Sequence, residues 1–345
     1  MKEPYEHNGF LYLENPVNGE YIKHDKNKPE NLYKYYGMSK YSVEALIKGY
    51  LYASHPFDLN DTLDSNFSLL IASKVEERFH DVLYRNLQNK PERNYNEIED
   101  RKAFVHDLYN DFSTKFGVVS LTGDATNDLV WPHYTQEQGF QIMFNTQELE
   151  KSLKENLLDG EDYLGVYPIN YCDVLKTIDI GYFKNLFPPF FYFTNVKMKC
   201  WSYENEWRLV VSRGNMYFPH TKLGLSRGQD FGDIKSRFFY YDKSLAERIV
   251  VGKNFFNARS FDVVLEQPSI FKVKPKEPKC TNEVNYHKDF LDYIVENFSD
   301  KFYLSDTEGL IQDDGNYVIR RVTRRFGVVK NSEGFYVLTR TEMIS

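Results

Sequence analysis

Two carboxylates and a guanidinium fall at alternate positions in Tyr203-Glu204-Asn205-Glu206-Trp207-Arg208, just before the apolar run Leu209-Val210-Val211. On an extended strand, alternate side chains share a face. Glu204, Glu206 and Arg208 then point one way, and Tyr203, Asn205, Trp207 and Leu209 the other. Charge on a strand that runs into an apolar core is costly unless it is paired. Two readings fit. In one, Arg208 neutralises a glutamate on a solvated strand face. In the other, the face floors a polar cleft, Glu206 and Glu204 are catalytic carboxylates, and Arg208 holds a phosphate.

Other residues invite the same double reading. His133, in Trp131-Pro132-His133-Tyr134, is suited to acid–base work near neutral pH, with Tyr134 as a ligand contact. A packed aromatic corner explains the same four residues. Asn60, Asp61 and Asp64 lack the EF-hand spacing, so turn and cap duty is the default. Asp61 and Asp64 together with Glu206 would otherwise suit a metal-dependent nuclease. Neither Ser54 nor Ser120 sits in G-x-S-x-G, and the chain has no phosphate loop and no G-x-G-x-x-G after a strand. The run Arg320-Arg321-Val322-Thr323-Arg324-Arg325 is the concentrated basic segment. On a strand its charge divides between two faces, as acid-paired residues or as contacts to nucleic-acid phosphate.

The elements that must position these residues follow from periodicity and turn chemistry. At 345 residues the chain can bury a sizeable core, and its net charge of -7 argues against a wholly polyanion-binding surface. Cys172, Cys200 and Cys280 are far apart, which points away from a disulfide framework or zinc site and towards a reducing cytoplasm. No run approaches the ~18 apolar residues of a membrane span, so a soluble, non-exported protein is expected. Strands are expected at 32–36, 50–54, 116–122, 139–144, 238–241 and 248–251. Helices are expected at 41–48, about 68–88, 97–115, about 147–158, and 257–266. Ser39 and Gly49 bracket the first helix. Prolines and lysines make 268–285 a linker, followed by an amphipathic helix at 286–298 and a hairpin of 317–329 with 335–340.

Four blocks now stand in order: Leu32-Tyr33-Lys34-Tyr35, Leu59-Asn60-Asp61-Thr62-Leu63-Asp64, Trp131-Pro132-His133-Tyr134 and Tyr203-Glu204-Asn205-Glu206-Trp207-Arg208. With Ile249-Val250-Val251-Gly252 after them, they resemble the bacterial family known as domain of unknown function 2971, over roughly 32–266. The chain departs from that family's usual pattern at Tyr36, where arginine is common, and at Leu59, Thr62, Leu63 and Val130. A fold-level analogy to ADP-ribosyltransferases adds a mechanism. A late-strand carboxylate, here Glu206, would stabilise the cationic ribose as nicotinamide leaves NAD. Tyr36, Tyr52 and Ser54 would hold the nicotinamide or its ribose.

The expectation is an α+β protein with a curved, mostly antiparallel sheet and helical insertions. An extension at 1–31 precedes a main domain at 32–267, a linker at 268–285 and a small α+β appendage at 286–345. Its function is NAD-using ADP-ribosyl transfer, as a bacterial toxin or antiviral defence effector, or non-catalytic recognition of a nucleotide, nucleic acid or protein. A metal-dependent nuclease is the third reading. The appendage is a candidate protein-binding piece, and no membrane partner is expected.

Overall fold

The computed structural model describes residues 4–56, 59, 61–217, 233–278, 284–311 and 316–341. Asn60, the glycine-containing stretch 224–228 and Cys280 lie outside the described residues. The fold is α+β and its sheet is mostly antiparallel. Two compact units are interleaved along the chain. The first gathers 1–28, 51–120 and 150–239, and the second 29–50, 121–149 and 240–345.

The first unit is organised around helix Phe187–Asn195 (sequence FPPFFYFTN), buried from Pro188 to Asn195. A helix apolar on all sides has no solvent face, so it sits in a core. Phe190 meets Phe112 and Phe116 at ring separations of 5.4 and 4.4 Å, and Tyr12, Tyr109 and Tyr167 pack in the same cluster. Strand Glu206–Arg213 pairs antiparallel with Glu161–Pro168 and has Phe116–Thr122 on its other side; the last two residues of the latter belong to the second unit. A meander of Tyr5–His7, Phe10–Val17 and Glu20–Lys23 begins this unit.

In the second unit the strands run in the order Phe261–Gln267, Ile270–Pro275, Tyr336–Arg340, Tyr317–Lys330, Phe302–Ile311, Ala246–Val251, Phe140–Asn145, Asn31–Tyr36. Only Ala246–Val251 and Phe302–Ile311 pair in parallel among these neighbours. Helix Lys40–Lys48 starts on a capping box between Ser39 and Ser42 and stops at Gly49, whose φ of 71° suits a residue without a Cβ. Helix Tyr286–Asn297 buries Phe290, Leu291 and Ile294. Phe290 meets Phe140 of the sheet at 5.1 Å.

Four expectations are corrected. The proposed helix at 257–266 is strand Phe261–Gln267, because β-branched Val263 and Val264 continue across a short turn into Ile270–Pro275. That second strand occupies the expected linker. It lies between Phe261–Gln267 and Tyr336–Arg340, with Val273 fully buried. The tail is therefore not a separate appendage: Ile249 pairs with Phe302, and 286–341 completes the second unit's sheet. The long helix expected at 68–88 shrinks to Glu77–Leu83, after a 3-10 turn at Phe67–Leu69 and the two-residue strand Leu70–Ile71.

A buried charge network as candidate functional site

The stretch expected as one long strand changes conformation at Asn205. Lys199–Glu204 is a 3-10 turn, Asn205 takes a left-handed φ of 43°, and the strand starts at Glu206. Asparagine tolerates that conformation better than most residues. Glu204 thus leaves the strand face but not its neighbourhood. Glu204, Glu206 and Arg208 are all buried, so the solvated strand face is corrected to an enclosed one.

Arg208 is the centre. Its Nε donates to Glu206 Oε1 at 2.9 Å and its Nη1 to Asp64 Oδ1 at 2.9 Å, while Nη2 reaches Asp64 Oδ2. Nη1 also donates to the carbonyl of Thr194 at 2.6 Å. That carbonyl belongs to the last turn of helix Phe187–Asn195, where unpaired carbonyls and the negative dipole end favour a cation. The chain leaves the helix as strand Val196–Met198, which carries Lys197 into the same space. Lys197 Nζ donates to Glu204 Oε2 at 2.6 Å and Glu206 Oε2 at 3.2 Å, and lies 3.6 Å from Asp64. The Trp201 ring covers it at 5.0 Å. Two cations thus hold three carboxylates, each group at least nine-tenths buried.

The electrostatics follow from these distances. Burial alone pushes the Glu206 carboxyl up, but Arg208 and Lys197 outweigh it, assisted by a hydrogen bond from Ser120, and hold it down at about 2. Burial works against the charge of Lys197 and Arg208, and the surrounding carboxylates reverse that, raising both. The Glu206 backbone N–H donates to the Tyr171 hydroxyl at 2.9 Å. The arrangement is an ionised carboxylate with both oxygens occupied by cations.

The remaining predicted site residues lie as follows. Asp61 makes an Asx turn, accepting from the Leu63 N–H at 3.0 Å. Asp64 does more than cap: both of its oxygens face Arg208, which removes it from the metal set with Asp61 and Glu206. Tyr52 packs edge-on against Phe238 at 6.3 Å, and Ser54 exchanges backbone hydrogen bonds with Val118. Tyr36, His133 and Tyr134 belong to the second unit. Tyr36 stacks on Phe140 at 5.2 Å, and burial pushes its hydroxyl up. His133 and Tyr134 stand on the short helix Val130–Thr135, not in a turn, with His133 exposed. The structure therefore joins Glu204, Glu206 and Arg208 in one cluster.

Sequence reasoning missed Lys197 and the reach of Asp64. Lys197 sits between Val196 and Met198 beside a Phe-rich helix, and that apolar company was the available signal. It also missed a spatial partner for Cys172, whose Sγ lies 3.3 Å from His7 Nε2. Burial raises that thiol to about 11 and lowers the imidazole, so the pair rests neutral.

Comparison with family models, curated proteins and solved structures found no match. The likeness to the domain of unknown function 2971 family rests on the short blocks alone. Among the described residues, no helix is long and apolar enough to cross a membrane.

Proposed function

We propose that this protein is a recognition module without catalysis, and that the Glu204–Glu206–Arg208 cluster locks its first unit together. One observation carries this reading: Glu206 has both oxygens committed to Arg208 and Lys197 inside the protein. A transferase glutamate needs a face turned to the ribose it stabilises. A carboxylate paired on both oxygens has its stabilising power spent on its neighbours. The membership in the 2971 family suggested by the blocks belongs to this proposal, as does a reducing cytoplasm, which suits the exposed free thiol of Cys200.

The partner is a nucleotide or a protein. The basic run gives little support to nucleic acid, because its arginines are already neutralised. Arg320 pairs with Glu308 at 2.8 Å, Arg321 with Glu137 and Asp128, Arg324 with Asp306 at 2.6 Å, and Arg325 approaches Asp300 at 3.7 Å. The far end of the antiparallel pair Phe302–Ile311 and Tyr317–Lys330, which carries that run, favours a protein partner. Ile311, Tyr317 and Ile319 are 77%, 69% and 69% exposed there, and such apolar patches commonly mark contact surfaces.

The deciding assay is mass-spectrometric detection of nicotinamide released from NAD by the wild type and by Glu206→Gln, with circular dichroism on both. The module reading expects no release from either. Release by the wild type, lost in a folded Glu206→Gln, would replace it with the ADP-ribosyltransferase reading.

A further inference from the structure

One face of the second unit's sheet carries an arginine, Arg248, that no carboxylate among the described residues neutralises. Strand register places Tyr33 opposite Met143 and Met143 opposite Arg248, a row across three strands. Two residues along, Tyr35, Gln141, Val250, Tyr303 and Arg325 make the next row of that face. The Arg248 guanidinium carbon lies 6.0 Å from the Tyr33 ring centre and 5.4 Å from that of Tyr303. Aromatic faces on both sides hold the fork in place by cation–π attraction. Its Nε is enclosed without a hydrogen bond, and no described residue forms an ion pair with it.

Two further groups are unmatched, one on this face and one packed against it from the helix Val130–Thr135. Gln141 is fully buried and donates through Nε2 to the Ala125 carbonyl at 2.9 Å, leaving Oε1 without a donor. Trp131, also fully buried, packs edge-on with Tyr35 at 5.0 Å and leaves Nε1 without an acceptor. Native folds keep few such atoms, and each one asks for an explanation. Arg248 and Gln141 thus come from adjacent rows lined by Tyr33, Tyr35 and Tyr303, and Trp131 packs on Tyr35 from the helix Val130–Thr135. That combination matches an anion carrying a flat ring with polar edges.

We infer that this face binds a small phosphate ester of the nucleoside monophosphate class, its phosphate on Arg248 and its ring against the tyrosines. A guanidinium fork pairs with phosphate oxygens in bidentate fashion, which a lysine cannot reproduce. Arg325, opposite Tyr303, is taken up by Asp300 at 3.7 Å, so Arg248 is the cation this face offers. Asp124, Glu247 and Glu30 act on Tyr33 from the surroundings. Their field opposes anions in general, so bidentate geometry rather than bulk charge selects the ligand.

This inference rests on the recognition-module reading and names its ligand class. The test is calorimetric titration of the whole chain with AMP, adenosine and inorganic phosphate, using wild type, Arg248→Ala and Arg248→Lys, each checked by circular dichroism. AMP is expected to bind more tightly than adenosine or phosphate alone. Arg248→Ala weakens AMP roughly tenfold or more, and Arg248→Lys restores only part of the loss. Should the alanine variant unfold, Tyr303→Leu keeps the cation and is expected to weaken AMP a few-fold. Failure of wild type to bind millimolar AMP, or equal binding by folded Arg248 variants, overturns the inference. Glu206-dependent release of nicotinamide would instead overturn the module reading, so the two failures are separable.

Discussion

Glu206→Gln isolates the charge of the central carboxylate while keeping its shape. The amide still accepts from Arg208 Nε, but it no longer balances Lys197 and Arg208 electrostatically. The folded carboxyl sits at about 2, against an ordinary value of 4.5. That difference corresponds to about 3 kcal/mol of preference for the ionised form in the folded state. Breaking a buried ion pair from one side costs about 3–5 kcal/mol. The variant is therefore expected to lose about 3 kcal/mol at neutral pH. The sign of the pH effect follows from the depressed value. The wild-type contribution is complete above pH 4.5 and is lost as pH falls through about 2. The gap between wild type and variant must then narrow in acid. Urea unfolding followed by tryptophan fluorescence, at neutral pH and at about pH 3, measures it. Equal stability at neutral pH, or a gap that ignores pH, would refute the account of Glu206 as a paired structural anion.

Arg208→Lys keeps the charge but cannot span Asp64, Glu206 and the Thr194 carbonyl together, and is expected to cost about 3 kcal/mol or more in the same urea assay. Gly139→Ala should be destabilising by about 3 kcal/mol, read from the thermal midpoint, because a Cβ there would stand 1.9 Å from the Tyr36 carbonyl oxygen. His287, packed on Phe261 at 5.0 Å, is pushed down to about 4 by burial. Its neutral form therefore stabilises the fold above pH 6.5, and this contribution is lost as pH falls through about 4. His287→Phe removes that limb, so its thermal midpoint should vary less with pH over the interval than that of the wild type.

Local patterns announced much of the fold. Ser39 and Gly49 bracket their helix because capping is decided within a few residues, and the hairpin of 317–329 with 335–340 was legible from its turn chemistry. The strand at Phe261–Gln267 was not, since a short apolar run with charged flanks suits either period until a partner strand decides. The candidate site was half legible. Alternation put Glu206 and Arg208 on one face, as the strand confirms. Burial reversed what that face does, and burial arises from packing by residues distant in sequence. Asp64 lies 144 positions from Arg208, and a pairing over such a separation leaves no mark in local sequence.

The interleaving of the two units has a consequence for how the protein is made. The chain passes between them at 28/29, 50/51, 120/121, 149/150 and 239/240. A nascent chain leaving the ribosome therefore finishes neither unit early. Lys197, Glu206 and Arg208 emerge long after Asp64, and strands near the C-terminus are the last to join the second unit's sheet. Until then, long stretches of aromatic-rich chain wait without their partners, the condition in which chaperones are most needed. Cutting the gene at a single point cannot release either unit whole, so any fragment used to study one must be stitched from several segments.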